Sequence, residues 1–403
     1  MSDSALDAAG SSLPLSPSRK AAAPRAQSEA RAEGAGKEHV IDAMRGFAAL
    51  LVAYFHCRQV EWVGMQTFHQ SVGHSFSLST IAAYLTFPIA WGSAGVPIFF
   101  VISGYCIHRG GALRLAKNPD YRLDTGNFWI RRFARIYPVL LAALVLTFAL
   151  DWVSLQLPPV NHKIREIGLQ AFLVNLFSLQ GVAGKTFGSN GALWTLSLEV
   201  QFYAIYPLLF ALRRRLGMTS VLAIVAVINV LSAYVLERHD LQFFTSYWFS
   251  WTLGAWIADA KARSTPEARS SVWLYVLAAA FIALGCAAFH FGQYGAFQLW
   301  AVGFAFYLYK ALERPNADKA DTPGVRLLSR FGDFSFSLYL IHLPIFVLLS
   351  SILFRSSLQM SIWPSFGYML VAVPVAYVFY RLVELPAMKW SASFKPKDVV
   401  KPA

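Results

Sequence analysis

Apolar runs long enough to cross a lipid bilayer recur along the chain from residue 40 onward. A transmembrane α-helix needs about 20 mostly apolar residues, because each residue adds about 1.5 Å to a path of about 30 Å. Ten runs meet this requirement, near 41–59, 87–107, 136–154, 192–212, 217–236, 243–260, 272–291, 296–312, 333–354 and 362–383. The pattern predicts an all-α integral membrane protein with about ten transmembrane helices.

The Lys and Arg residues lie mostly in alternate gaps between these runs. With the N-terminus in the cytoplasm, 28 of the 35 Lys and Arg residues lie in cytoplasmic segments or, as Lys310 and Arg381, at the cytoplasmic ends of spans, and Arg45 lies within the first span. The external segments contain only Arg58, Lys163, Arg165, Lys185, Arg238 and Arg355. Cytoplasmic loops are enriched in these residue types. We therefore predict that both termini are cytoplasmic.

A shorter apolar stretch covers 166–180. Counting it as a crossing would invert every later loop and place Arg213, Arg214 and Arg215 outside, against the charge rule. We interpret this stretch as an interfacial or re-entrant helix.

The first 38 residues differ from the rest in composition. Ala, Ser, Pro, Gly and scattered charges dominate, and such a segment buries too little apolar surface to offset its ordering entropy. It lacks the apolar core and small-residue cleavage site of a signal peptide. We predict a disordered cytoplasmic tail over 1–38, a transmembrane domain over 39–390 and a second cytoplasmic tail over 391–403.

Composition agrees with a membrane protein. Charged residues are 14% of the chain and hydrophobic residues 56%, with a mean hydropathy of +0.46. Soluble domains carry about a quarter charged residues. The net charge of +13 is not gathered on one soluble face, so nucleic acid is not an expected partner. Cys57, Cys106 and Cys286 share no spacing, which indicates neither a disulfide framework nor a metal site.

Polar residues inside the spans are the candidates for chemistry, because burying a charge in a bilayer costs free energy. The first span contains Asp42, Arg45 and His56. Asp42 and Arg45 can pair at i,i+3. Arg45 and His56 share one helix face and lie roughly 16 Å apart along the axis. A snorkelling arginine and a hydrogen-bonded core histidine would be the plain alternative.

The fourth span opens with "GALWTLSLEVQFYAIYPLL" and places Trp194, Thr195, Ser197 and Glu199 near its predicted external end. Thr195 and Glu199 share a face at i,i+4. Since His56 lies toward the same side of the membrane, Glu199 is a candidate for orienting and polarising its imidazole.

Two further segments have a functional and a structural interpretation. In "GSAGVPIFFVISGYCI", Gly92, Gly95 and Gly104 allow a close backbone approach or a helix break, or serve simple helix packing. In "FWIRRFARIYP", Arg132 and Arg135 share a face at the predicted cytoplasmic interface. They could clamp phosphates or act only as topology anchors.

The ninth span, "FGDFSFSLYLIHLPIF", has Ser335, Tyr339 and His342 at helical spacing. A core histidine is the plain interpretation of His342.

Together, the segments in this order resemble the acyltransferase 3 family of bacterial membrane O-acyltransferases. The matching features are Arg45 with His56, "GVPIFFVISGY", "RRFARIYP", "WTLSLEVQFYAIYP", "FSFSLYLIHLP" and "VELP". The resemblance covers roughly 39–390.

The resemblance implies an acyltransferase in the bacterial plasma (inner) membrane. Its reaction would move an acyl group, often acetyl, from acyl-coenzyme A to a hydroxyl of an envelope carbohydrate or lipid-linked glycan, such as O-antigen or exopolysaccharide. Acyl-coenzyme A would be a co-substrate, and no permanently bound cofactor or metal is expected. Acetyl, succinyl and longer acyl groups all fit, and transfer could be direct or pass through an acyl-histidine.

The resemblance also implies roles for residues of this sequence. His56 would be catalytic, assisted by Glu199, and Arg45, Arg132 and Arg135 would bind acyl-coenzyme A. The expected supporting residues are Asp42, Ser103, Trp194, Thr195, Ser197, Tyr339, His342 and Glu384.

Two other classes of protein also bury charges in a membrane. A transporter or flippase would show paired half-repeats, and no internal repetition is visible. A non-catalytic scaffold would have no need of Arg45 and His56 on one face.

Overall fold

The computed structural model describes residues 22–73, 76–239, 241–264, 271–313 and 322–394, with side chains from His39 onward except that of Glu237. These parts are helical and contain no extended strand. The α-helices are α1 (Ala22–Glu61), α2 (Met65–Val72), α3 (Leu78–Leu85), α4 (Gly95–Lys117), α5 (Thr125–Leu155), α6 (Leu169–Leu176), α7 (Trp194–Leu216), α8 (Met218–Leu236), α9 (Trp248–Arg263), α10 (Trp273–Ala288), α11 (Gln293–Ala311), α12 (Pro323–Asp333), α13 (Ser335–Phe354), α14 (Trp363–Phe379) and α15 (Leu385–Ser393).

Three short segments extend these helices. The 3₁₀ helices Phe87–Ala94 and Gly191–Leu193 lead into α4 and α7. A π-helical turn, Tyr380–Glu384, joins α14 to α15.

A helix lies at each of the ten predicted positions. Among the described residues, seven helices are long and apolar enough to span: His39–Glu61, Leu78–Lys117, Thr125–Leu155, Gly191–Leu216, Met218–Leu236, Ser335–Phe354 and Trp363–Ser393. The other three, α9, α10 and α11, have 16, 16 and 19 residues and are not among them. The all-α, multi-pass architecture is therefore confirmed, while the count of ten crossings and the orientation stay predictions.

The short helix α6 has only eight residues, about 12 Å of rise, and cannot cross a bilayer. It lies within 166–180, and its length agrees with the prediction of an interfacial or re-entrant helix. The predicted tails fall largely outside the described residues, since 1–21 and 395–403 are not described. The helix α1 begins at Ala22. The domain boundaries therefore stay predictions.

Glycines allow the backbones of the helices around the first span to approach closely. This confirms the close approach predicted for Gly92, Gly95 and Gly104. A Cβ atom at Gly95 would lie 2.7 Å from the Ala48 carbonyl oxygen of α1, and one at Gly104 would lie 1.9 Å from the Trp251 oxygen of α9. Small residues at such crossings allow van der Waals packing and short backbone separations. The contacts fix α4 between α1 and α9.

Two prolines free backbone carbonyls that other side chains then bind. Proline has no N–H, so the carbonyl four residues before it loses its helical partner. Pro344 in α13 frees the Leu340 carbonyl, which accepts a 2.8 Å bond from Asn190 Nδ2. Pro207 in α7 frees the Tyr203 carbonyl, which accepts a 3.1 Å bond from Trp129 Nε1. These bonds fasten neighbouring segments to the two helices that carry most of the candidate site.

Candidate active site

A cavity of about 340 Å³ lies between α1, α4, α5, α7, α13 and the α14–α15 segment, and we call it the arginine cavity. Nine of the residues predicted from sequence line it: Asp42, Arg45, Ser103, Arg132, Arg135, Thr195, Glu199, Tyr339 and Glu384. These residues come from helices far apart in the chain. The structure therefore brings most of the predicted set to one place.

Charges of both signs line the arginine cavity. Arg45 lies 3.4 Å from Asp42, as the i,i+3 spacing predicted, and its second terminal nitrogen lies 3.5 Å from the Cys106 sulfur. Glu199 and Glu384 approach from α7 and from the end of the α14 span, and Asp333 adds a carboxyl group at the end of α12.

Hydroxyl groups bind the two glutamates. Glu199 accepts hydrogen bonds from Ser103 Oγ and the Tyr203 hydroxyl. Glu384 is buried and accepts bonds from Ser337 N at 3.1 Å and Ser337 Oγ at 2.6 Å. Both carboxyl groups are therefore held by neutral donors, and neither forms an ion pair with an arginine of the cavity.

Arg132 and Arg135 are the cations of the cavity that lack a protein partner. Neither forms a hydrogen bond or ion pair with another described residue, and Arg132 Nε is buried without an acceptor. The Arg132 guanidinium lies over the Phe128 ring at 5.7 Å. Both side chains are half-buried, and neighbouring cations without a protein partner in such a cavity indicate an anionic ligand.

Above the arginine cavity, two histidines form a pair. His56 Nδ1 lies 2.8 Å from His342 Nε2, and their rings stack with centroids 5.1 Å apart. His342 is fully buried, and its Nδ1 lies 2.9 Å from the Leu338 carbonyl oxygen. His56 is half-buried.

The hydrogen-bond pattern assigns the tautomers of this pair. A carbonyl oxygen can only accept a hydrogen bond. His342 Nδ1 is therefore protonated and donates to the Leu338 carbonyl oxygen. Among the described residues no carboxylate contacts His342, so the buried ring is neutral and its Nε2 is left as an acceptor. His56 therefore donates from Nδ1 and presents a bare lone pair on Nε2. A bare imidazole nitrogen can accept a proton or attack a carbonyl carbon.

This arrangement corrects the expected orientation of His56 by Glu199. Glu199 bonds Ser103 and Tyr203 and lies near Arg45, at the lower level of the first span, whereas the ring of His56 is oriented by His342. The two candidate groups are separated along the helix axis because Arg45 and His56 themselves lie about three turns apart.

Tyr339 connects the arginine cavity to the histidine pair. Its ring lines the cavity and contacts His342 with centroids 5.9 Å apart. Its hydroxyl forms a 2.6 Å hydrogen bond with Thr195 Oγ1 and donates to the Ala192 carbonyl at 3.2 Å. Tyr339 and Thr195 thus form the boundary between the two parts of the site.

Two expected supporting residues lie elsewhere. Trp194 lines a second cavity, and Ser197 Oγ donates to the Gln180 carbonyl at 3.0 Å, which fastens the loop before α7. Sequence reasoning missed Tyr203, whose signal was its i,i+4 spacing from Glu199 in an apolar helix.

The fold and the site define a multi-pass membrane protein with a histidine pair above an arginine-lined cavity. The chain belongs to the acyltransferase 3 family, since the model of that family, described as an acyltransferase domain, matches residues 38–381.

Three relatives show the range of the likeness. Peptidoglycan O-acetyltransferase OatA of Listeria monocytogenes is 24% identical over 355 residues, covering 77% of this chain and 54% of OatA. Nodulation protein 10 of Rhizobium leguminosarum bv. viciae is 24% identical over 342 residues, covering 76% of this chain and 85% of that protein. The O-acetyl transferase of Shigella phage Sf6 is 28% identical over 183 residues, covering 44% of this chain and 53% of that protein. The chain spans about half the length of OatA. No solved structure matches it.

Proposed function

We propose that this protein is a membrane O-acyltransferase that moves an acyl group, in the first instance acetyl, from acyl-coenzyme A to a hydroxyl of a cell-envelope carbohydrate or lipid-linked glycan. The observation that carries the proposal is the contact of His56 Nδ1 with His342 Nε2, at 2.8 Å, above a cavity with two unpaired arginines. Family membership supports acyl transfer, and the name of OatA supports a glycan acceptor for that relative.

The donor would enter the arginine cavity from the cytoplasmic side. Coenzyme A is rich in phosphate, and arginine binds phosphate through short, charge-assisted hydrogen bonds. A volume of about 340 Å³ lies at the small end of ligand pockets, which supports a pantetheine arm inside and the nucleotide at the mouth. The arm would pass Arg45 and carry the thioester toward Tyr339 and His56.

His56 would then act as the general base. Its Nε2 takes the proton of the acceptor hydroxyl while the hydroxyl oxygen attacks the thioester carbonyl carbon. The carbon–sulfur bond breaks, and the departing thiolate takes the proton back from His56. In the covalent variant, Nε2 attacks the thioester carbon and the carbon–sulfur bond breaks to release the thiolate. The hydroxyl then attacks the acyl group on Nε2, the carbon–nitrogen bond breaks, and the thiolate takes the hydroxyl proton. Both routes need the tautomer that His342 imposes.

The direct test uses membranes that contain the protein, radiolabelled acetyl-coenzyme A and the deacylated glycan from cells that lack it. We expect label in the glycan, and mass spectrometry should show the added acyl mass. A transporter or flippase would leave the thioester intact.

Loss of either unpaired arginine should weaken donor binding. Arg132→Ala or Arg135→Ala should raise KM for acetyl-coenzyme A about tenfold, since a hydrogen bond to a charged group contributes about 1.5–3 kcal/mol. KM for the acceptor should stay the same. Arg122→Ala is the matched control, because Arg122 is exposed just before the same helix and lies outside the cavity lining. An unchanged donor KM in a normally inserted Arg132 variant would return both arginines to a topological role.

The orientation has its own test. In a chain whose three native cysteines are replaced by serine, Gln66→Cys should react with an impermeant thiol reagent added outside, and Asp120→Cys should not. Both positions are exposed, Gln66 in α2 and Asp120 before α5. The reverse labelling would place the arginine cavity on the external side and remove the cytoplasmic donor from the proposal.

A further inference from the structure

A second cavity of about 910 Å³ lies away from the arginine cavity, and we call it the loop cavity. Its walls come from 165–194, between α5 and α7, and from Leu241 and Gln242 before α9. The charge distribution predicts that both segments are external. The volume is near the upper end of ligand pockets, so the loop cavity can hold a substrate larger than a thioester arm.

The walls of the loop cavity are fixed by buried hydrogen bonds. Asn175, fully buried, donates from Nδ2 to the Lys185 carbonyl at 3.0 Å and accepts from Phe187 N at 3.1 Å. Gln242 N donates to the Gly181 carbonyl at 2.9 Å, which joins the two segments. Asp151 of α5 accepts two bonds from Ser189, at 2.7 and 2.6 Å. A site built in this way is organised before a ligand arrives.

The lining suits a carbohydrate. Side chains with several donors and acceptors face the space, and the indole of Trp194 offers an apolar ring surface. The polar members are Arg165, Glu166, Gln170, Lys185, Thr186 and Gln242. Sugars present both hydroxyl groups and apolar C–H faces, so this combination matches their chemistry.

The charged residues of the lining are Arg165, Lys185 and Glu166, so positive charge is in excess. Half of the six Lys and Arg residues predicted to be external lie in this one loop: Lys163, Arg165 and Lys185. Arg165 donates to Thr186 Oγ1 at 3.0 Å, and none of the three forms an ion pair with a described carboxylate. Burial and then the neighbouring Arg165 lower the pKa of Lys163, so positive charge is crowded here.

The loop cavity adjoins the reacting end of the site. Gly191 is part of its lining, and a Cβ atom there would lie 3.5 Å from Leu343, the residue after His342. The charge of Lys163 acts on His56. Asn190, next to Gly191, bonds the carbonyl that Pro344 frees in α13. An acceptor in the loop cavity would therefore have the histidine pair beside it.

We propose that the loop cavity binds the acceptor glycan, and that the sugar unit held there carries an acidic group that pairs with Arg165 and Lys185. This inference rests on the proposed function, because it assigns the acceptor half of the same reaction. The acidic group is a carboxylate or a phosphate, and both would bind the same two cations.

The experiment uses the full chain in lipid nanodiscs, radiolabelled acetyl-coenzyme A and envelope glycan from cells that lack the protein, in three forms. The glycan is left native, reduced at its carboxyl groups, or freed of phosphate. We expect the native glycan to be acetylated and one of the altered forms to have at least about a tenfold higher KM, since charge-assisted bonds are lost. Loss on carboxyl reduction identifies a carboxylate, and loss on dephosphorylation identifies a phosphate.

Variants connect this result to the cavity. Lys185→Gln and Arg165→Gln should each raise the KM for native glycan about five- to tenfold and leave the KM for acetyl-coenzyme A unchanged. They should have no effect with the glycan form that lacks the acidic group. Arg238→Gln is the matched control, because Arg238 is predicted to be external but is outside the cavity lining.

Equal use of all three glycan forms, or variants that act equally on all of them, would overturn the inference. Consumption of acetyl-coenzyme A without transfer to any of the glycans would overturn it as well, while leaving the donor site in place. If acetyl-coenzyme A is not consumed at all, the proposed function itself fails.

Discussion

His56→Ala should lower kcat at least about a hundredfold, because general-base catalysis contributes roughly 10²–10⁴-fold. Protein abundance and the affinity for acetyl-coenzyme A should remain nearly the same, since Arg45, Arg132 and Arg135 still line the arginine cavity. The measurements are label transfer to glycan under saturating donor and equilibrium binding of acetyl-coenzyme A to the purified variant.

The matched control for this experiment is His69→Ala. His69 is exposed in α2, where it bonds Tyr84 at 2.5 Å, and it has no contact with the arginine cavity. Its loss should leave turnover unchanged. If His56→Ala keeps most of its turnover while it inserts normally, His56 is neither base nor acyl carrier, and the reacting group must be sought on α13.

The positions of the helices could be predicted because each depends on local composition. A run of about 20 apolar residues is a membrane helix wherever the rest of the chain lies. The helices α9 and α10, at 16 residues each, show the limit of this argument. In α9, the buried Asp259 binds Arg213 and the exposed Arg263 at 2.5 and 2.7 Å, so the carboxylate that lowers the hydropathy of the segment is paired. Composition alone does not register such partners.

Within the site, the sequence predicts which residues are neighbours when both lie on one helix. Arg45 and His56 share a face because the helical period is known, and Asp42 lies beside Arg45 for the same reason. The partner of His56 is 286 positions away in α13, and no period joins two helices. Both histidines were identified as intramembrane candidates, but their pairing depends on how α1 packs against α13. The sequence favours Glu199 as the partner of His56 only because its helix enters the membrane from the predicted external side.

The structure also explains why His342 is buried with its ring fixed. The Leu340 carbonyl, freed by Pro344, accepts from Asn190, and the Leu338 carbonyl accepts from His342 Nδ1. Each bond restrains α13 near the histidine pair. Because its Nδ1 is bonded to the Leu338 carbonyl, the His342 ring is fixed and its Nε2 points toward His56 Nδ1.

His342→Leu should lower kcat about 10–100-fold, because partners that fix the tautomer and direction of a functional histidine typically contribute this much. Leucine fills a similar space but cannot accept a hydrogen bond, so His56 would lose the constraint that keeps its proton on Nδ1. KM for acetyl-coenzyme A should not change. Nitrogen NMR of histidine-labelled protein should show His56 protonated on Nδ1 in the native chain and a mixture of tautomers in the variant.

His342→Gln separates this role from a purely structural one. The glutamine amide oxygen can accept a hydrogen bond, so this variant should recover a large part of the lost kcat. If His342 served only to fill the core, the two variants should instead rank by their thermal stability, and the more stable one should be the more active. Equal and full activity in both, with the native tautomer of His56 retained, would show that the ring of His56 is oriented by something other than His342.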